Sequence, residues 1–224
     1  MLMTGLALML LVFVCLNATA EQPHTGFKLE LTEQTPKRSF VIEYYLCEPK
    51  WLAQIWIAEK CGSTNKAVLF EYSLSGLGAS VIVSDDDNWL AINYHETSGH
   101  EAPILFRRTS RIQFKQVKGI DLESIAWKAA AINKGFSSKA IFDHKYTEVL
   151  CWLGKTHSLV LRAWGHMSGE HRLGDWFCIY DVEAQKLALD MNALNQDGFH
   201  LVNSAGEDID AKQPAGSKKL GKDR

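Results

Sequence analysis

With 224 residues, 46% of them hydrophobic, and a formal net charge of −2 at pH 7, the chain can fill a core and lacks the basic excess that marks a nucleic-acid binder. Past the first twenty residues no apolar run is long enough to cross a bilayer as a helix. What is left is material for one sizeable domain or two small ones.

In chain order, Leu6 to Leu16 is an unbroken apolar run, followed by the small-x-small site Ala18-Thr19-Ala20 and the polar Glu21. That is the layout of a secretory signal peptide cleaved after Ala20, although no Lys or Arg precedes the run. A retained anchor is the alternative, and the shortness of the run favours removal. Residues 1–20 are therefore read as a signal peptide and the protein as exported, periplasmic or secreted. Residues 21–38 read as a polar leader, 39–202 as a single β-rich domain, and 203–224 as a charged, Gly- and Ser-bearing tail expected to be disordered.

A strand vocabulary opens the domain. Phe40 to Leu46 is β-branched and aromatic, and Gln54 to Glu59 and Lys66 to Tyr72 flank the hairpin loop Gly62-Ser63-Thr64-Asn65. Trp51, Leu52, Ile55 and Trp56 also fit a helical face, but closely spaced turn signals favour a strand. Ala79 to Val83, Trp89 to Tyr94, Pro103 to Arg107 and Arg111 to Val117 continue the pattern with turns between them. One helix interrupts near residues 121–133: Asp121 is its predicted N-cap, Leu122, Ile125, Ala126, Ala129 and Ile132 form its apolar face, and Asn133 and Gly135 stop it. Thr147 to Leu153, Leu159 to Trp164, Trp176 to Tyr180 and Lys186 to Asp190 resume the strands. The fold class is mainly β: antiparallel meanders of hairpins forming an open sheet, a sandwich or a partial propeller.

Four cysteines follow the leader, Cys47, Cys61, Cys151 and Cys178. In an oxidising compartment the simplest pairing is Cys47 with Cys61 and Cys151 with Cys178, and at least one bridge is expected; otherwise all four serve as small buried hydrophobes. No C-x-x-C spacing points to a zinc knuckle or a redox dithiol.

Several familiar motifs fail on spacing. Gly154-Lys155-Thr156 lacks the glycine five residues earlier that a phosphate loop needs, because Val149 stands there. His95 and His100 are five apart rather than four, with Gly99 between them, so they are not a zinc-protease helix. No G-x-S-x-G elbow is present, and Asp85-Asp86-Asp87 reads as a solvated turn rather than a calcium site. Trp89, Trp152, Trp164 and Trp176 read as core anchors rather than a sugar-stacking platform.

Two segments look like copies. Ser84-Asp85-Asp86-Asp87-Asn88-Trp89-Leu90-Ala91-Ile92, a loop and Ile104-Leu105-Phe106 parallel Trp152 to Leu161, a loop and Trp176 to Asp181. With Ile179-Tyr180-Asp181-Val182-Glu183, the first of these resembles blades of β-propellers of the TolB and WD-repeat kind over about half the mature chain. At roughly 40–45 residues a blade, the chain is too short to close a ring. The resemblance implies binding through loop surfaces rather than a particular catalysis.

The copies carry matching histidines: His95-Glu96-Thr97-Ser98-Gly99-His100 echoes His166-Met167-Ser168-Gly169-Glu170-His171. If the copies pack side by side, His95, His100, His166 and His171 project from one sheet edge and can bind zinc or another borderline metal. The bland alternative is two polar loops in which histidine is incidental. The leading functional expectation is an exported, non-catalytic β-rich binding protein with an envelope or extracellular partner or ligand. The competing one is a metal-dependent hydrolase using the histidine loops, with Glu96 or Glu170 as general base.

Overall fold

The computed structural model describes residues 22–76, 78–135, 144–154, 156–166, 172–188 and 195. The predicted signal peptide, the tail from 203, and His171 lie outside the described residues. No helix among the described residues is long and apolar enough to cross a membrane.

The chain is mainly β, as its sequence predicts, and forms two sheets. The first is a meander of β1 (Lys28–Gln34), β2 (Val41–Cys47), β3 (Leu52–Ala58) and β4 (Lys66–Ser73), neighbours in that order. The second contains β5 (Gly78–Val83), β6 (Trp89–Thr97), β7 (His100–Arg108), β8 (Phe114–Gln116), β9 (His144–Trp152), β10 (Ser158–His166), β11 (Arg172–Asp181) and β12 (Lys186–Leu187). Its order is β12-β11-β10-β9-β7-β6-β5, with β8 on the flank of β7. Among the described residues every pairing is antiparallel except a short parallel contact of β7 with β9, His100 opposite Lys145 and Glu101 opposite Tyr146. A parallel pair needs a crossover, and the helix α1 (Leu122–Lys134) lies in it. Both repeated segments fall in this sheet, the first as β6–β7 and the second as β9–β10–β11.

Strand β6 explains how the layers stack. Successive strand residues point to opposite faces, and here both faces are covered. Leu90 and Ile92 pack with Phe40, Ile42, Tyr44, Ile55 and Ile57 of the smaller sheet. Trp89 and Ala91 pack with α1 and with Val149, Leu159, Leu161 and Trp176. The unbroken apolar run of β6 is that of a strand buried on two sides.

Helix α1 ends as its sequence foretells. The Asp121 carboxylate accepts the Ser124 N–H at 3.0 Å, and Gly135 closes the helix with φ 70°. The buried face is rotated from the predicted one, however. Leu122, Ala126, Trp127 and Ala130 are buried, whereas Ile132 is 83% exposed. Trp127 sets the rotation, because its indole N–H donates to Thr147 Oγ1 at 3.1 Å in the interior.

Four further expectations are corrected. The polar leader carries β1, an edge strand whose few apolar residues, Leu29 and Leu31, gave little signal. The strand expected over 111–117 is only Phe114–Gln116, because the Arg108 guanidinium takes the carbonyls of Ser110 and Arg111 out of any ladder. Of the three aspartates expected to form a solvated turn, Asp85 is exposed and Asp86 half-buried, but Asp87 is not solvated. Asp87 is fully buried, and its carboxylate accepts from Thr35 Oγ1 and Ser39 Oγ at 2.7 Å each and from the N–H groups of Lys37 and Ser39 at 3.2 Å. It ties the β1–β2 turn to the larger sheet.

The disulfides are the fourth. All four described cysteines are free, and the register explains why neither neighbouring pair joins. Cys47 sits opposite Leu52 at one end of the β2–β3 hairpin, and Cys61 lies past the other end, where Val41 meets Ala58. Six residues of strand separate those ends by about 20 Å, whereas a disulfide needs Cα atoms within about 7 Å. Cys151 and Cys178 lie on either side of β10, opposite Val160 and Leu161. Two strand spacings amount to about 9.5 Å, again too far.

Candidate functional site

The densest grouping of polar and aromatic side chains lies at one end of the larger sheet. Strands β9 and β10 pair Glu148 with Arg162, Tyr146 with Trp164, and His144 with His166. These positions alternate along each strand, so the three pairs share one face and form a ladder. Arg162 donates to Glu148 at 3.1 Å and to Asp175 of β11 at 3.0 Å. Tyr146 and Trp164 stack with centroids 5.2 Å apart and planes 14° apart, and His144 and His166 stack at 4.1 Å and 18°. The Arg162 guanidinium also lies 4.5 Å from the Trp164 ring. Trp164 is thus the exception among the four tryptophans: Trp89, Trp152 and Trp176 are core residues, and Trp164 is half-buried in the ladder.

Between these rungs the chain needs glycine. A Cβ on Gly165 would stand 2.2 Å from the His144 carbonyl oxygen and 3.0 Å from Trp127, so no other residue lets β9, β10 and α1 approach this closely. A cavity of about 340 Å³ opens here, lined by Tyr146, Trp164, Gly165, His166 and Arg172. His144 Nδ1 is buried and finds no hydrogen-bond partner among the described residues. A second cavity, of about 280 Å³ and lined by Trp89, Arg107, Val117 and Glu183 among others, has its two charges already facing one another, Arg107 and Glu183 at 3.9 Å.

Next to the ladder, β6 and β7 contribute His95 and Glu101, paired in register. The His95 Nε2 atom touches the Glu101 carboxyl, and the His95 ring meets Tyr146 edge-on at 6.1 Å. Glu101 is 5% exposed. Burial first, then repulsion from Glu148, push its carboxyl up to about 8, against a smaller opposing pull from Arg162. Glu148 is likewise raised, mainly by burial, with Arg162 pulling it down. At neutral pH a protonated Glu101 can donate to His95, while Arg162 keeps Glu148 and Asp175 as its ionic partners.

Three of the four histidines expected to form a metal constellation fall among the described residues. His95, His100 and His166 do lie toward the same end of the sheet, since His100 and Gly165 both pair with Lys145 and His166 pairs with His144. Each imidazole is engaged separately. His95 contacts Glu101; His100 lies 3.0 Å from Glu123 and 3.4 Å from Glu96; His166 stacks on His144. His171 lies outside the described residues. No group of three or more His, Cys, Asp and Glu among the described residues is arranged to hold a metal ion.

Among the described residues, fold and site together define an open two-sheet β arrangement with a crossover helix and an aromatic and ionic site at a sheet end. No protein-family model, curated protein or solved structure matches the chain.

Proposed function

We propose that the chain is an exported, non-catalytic binding protein that receives its ligand beside the β9–β10 ladder. The observation carrying this reading is the ladder itself: planar side chains and a guanidinium surround an open cavity on a rigid pair of strands. Preformed, ring-lined recesses with a few fixed polar groups suit recognition. The groups that chemistry would need are already occupied. The Tyr146 hydroxyl donates to the Ser98 carbonyl, and Arg162 is held between Glu148 and Asp175. Export rests on the Leu6–Leu16 run and the Ala18-Thr19-Ala20 site.

Thermal-shift screening of purified protein against extracellular small molecules and glycans tests the binding role. A ligand should raise the melting temperature of the wild type and leave that of Trp164→Leu unchanged, since stabilisation follows occupancy. Ligands that stabilise both proteins equally would place the binding surface elsewhere. Intact-mass measurement of protein from its native source should find Glu21 as the first residue, and full-length chain in a cytoplasmic fraction would refute export.

A further inference from the structure

We infer that the cavity beside the ladder takes a small planar anion, an aromatic or heteroaromatic carboxylate. The inference rests on the binding role proposed above and adds the chemical class of the ligand.

Its basis is a contrast between two arginines. Arg162 is neutralised by Glu148 and Asp175. Arg172, across the β10–β11 pair from His166, is exposed and makes no ion pair among the described residues, yet it lines the cavity. A planar guanidinium at the rim of a recess offers two parallel donors to a carboxylate. The rest of the lining is flat: Tyr146, Trp164 and His166 are rings, and Gly165 leaves the floor bare. A volume of about 340 Å³ is at the small end for ligand pockets and suits one or two fused rings better than an extended chain.

None of the neighbouring carboxyl groups lines the cavity. Glu148 and Asp175 are paired with Arg162, and Glu101 keeps its proton to about pH 8 through burial. Among the described residues Arg172 is the guanidinium on the cavity lining, and it offsets the one negative charge that Glu148 and Asp175 leave over after Arg162. The cavity at the opposite end of the sheet has no such unpaired guanidinium, because Arg107 faces Glu183.

Titration calorimetry on the purified chain, at low salt and pH 6.5, decides the matter with four probes: indole-3-carboxylate, its neutral amide, cyclohexanecarboxylate and a β-linked glucose tetrasaccharide. Indole-3-carboxylate should bind at least about tenfold tighter than the amide, as one charge-assisted contact supplies. It should also bind tighter than the non-planar acid. Arg172→Gln, a change at an exposed position, should erase the preference for acid over amide. Equal affinity for acid and amide, an Arg172→Gln effect below about twofold, or no binding of indole-3-carboxylate would each overturn the inference. If the tetrasaccharide alone binds, and Trp164→Leu abolishes it, the planar-anion class falls while the binding role stands. If no probe responds to Trp164→Leu, with its circular dichroism unchanged, both fall.

Discussion

Each sheet buries a glutamate in one of its strands, and the two are treated in opposite ways. Glu43 in the smaller sheet is fully buried, and its carboxylate meets Lys66 Nζ at 3.0 Å, the Tyr45 hydroxyl at 2.8 Å and the Gly62 N–H at 3.2 Å. Lys66 donates in turn to the Tyr45 oxygen at 2.6 Å, closing the network. Glu101 in the larger sheet is 5% exposed, but its neighbours are His95 and a second carboxylate, Glu148, and the nearby guanidinium of Arg162 is committed elsewhere. Burial alone therefore does not fix what a carboxyl does. A complete set of donors turns it into a structural ion pair, and an incomplete set leaves it protonated beside an open cavity.

Removing one partner from the complete network should have the largest effect. Lys66→Ala leaves the Glu43 charge buried without its cation, which costs about 3–5 kcal/mol. Urea unfolding should show the midpoint falling with an unchanged slope. A loss under about 1 kcal/mol would mean that water replaces the ammonium and that Glu43 is less enclosed than its burial indicates.

At the incomplete site the sign reverses. Folded Glu101 titrates at about 8, above the ordinary 4.5. Between those values the unfolded chain has released a proton that the folded chain still holds, so stability falls as pH rises and levels off above about 8. Glu101→Gln removes the titration and should stabilise the protein by roughly 5 kcal/mol at pH 9, with no gain below about pH 4.5. A pH–stability curve parallel to that of the wild type would show that His95 holds Glu101 ionised.

The larger sheet has a seam between β7 and β9. Beyond its two-residue parallel contact with β7, β9 would expose its edge, and the Asn93 carboxamide covers it. Its Nδ2 donates to the Val149 carbonyl at 2.9 Å, and its Oδ1 accepts the Val149 N–H at 2.8 Å. Asn195 does the same for Phe177 on β11, at 2.8 and 2.7 Å. Each asparagine stands in for one residue of a missing strand. Asn93→Leu orphans both Val149 groups and should cost about 2 kcal/mol, with faster hydrogen exchange at the Val149 amide as its local mark.

Most of the strand order along the chain was legible because turn residues and β-branched runs alternate locally. Partner choice was not, since it depends on contacts between residues far apart in sequence. The ladder shows both sides of this. His144-Lys145-Tyr146-Thr147-Glu148 and Arg162-Ala163-Trp164-Gly165-His166 carry the same order of residue kinds in opposite directions: imidazole, aromatic, charge against charge, aromatic, imidazole. Antiparallel pairing aligns reversed order, so the site was written there, but only a reader looking for inverted repeats would find it. The direct echo around His95 and His166 drew attention to the loops and toward metal instead. Asp87 was missed for a related reason: three aspartates in a turn look solvated unless the turn is known to dock on another one.

The smallest expected effect also separates the sheets, through their thiols. Cys61 in the smaller sheet is exposed, and Cys47 is buried where a Cβ on Gly26 would stand 3.5 Å from its sulfur. In the larger sheet burial, with Asp85 adding to it, raises the Cys151 thiol to about 11, and burial alone raises Cys178 to about 12. Thiolate is the reactive form, so at pH 8 only about one Cys151 in a thousand is reactive at any moment, and fewer for Cys178. Native labelling with a soluble maleimide should therefore modify Cys61 rapidly and the other three only on unfolding, with all four counted in denaturant. Cys61→Ser should abolish the fast phase and shift stability by less than about 0.5 kcal/mol, as an exposed loop substitution does. Two thiols missing from the denatured count would mean that a bridge forms, and because the register separates both neighbouring pairs, such a bridge would require the strands to re-pair.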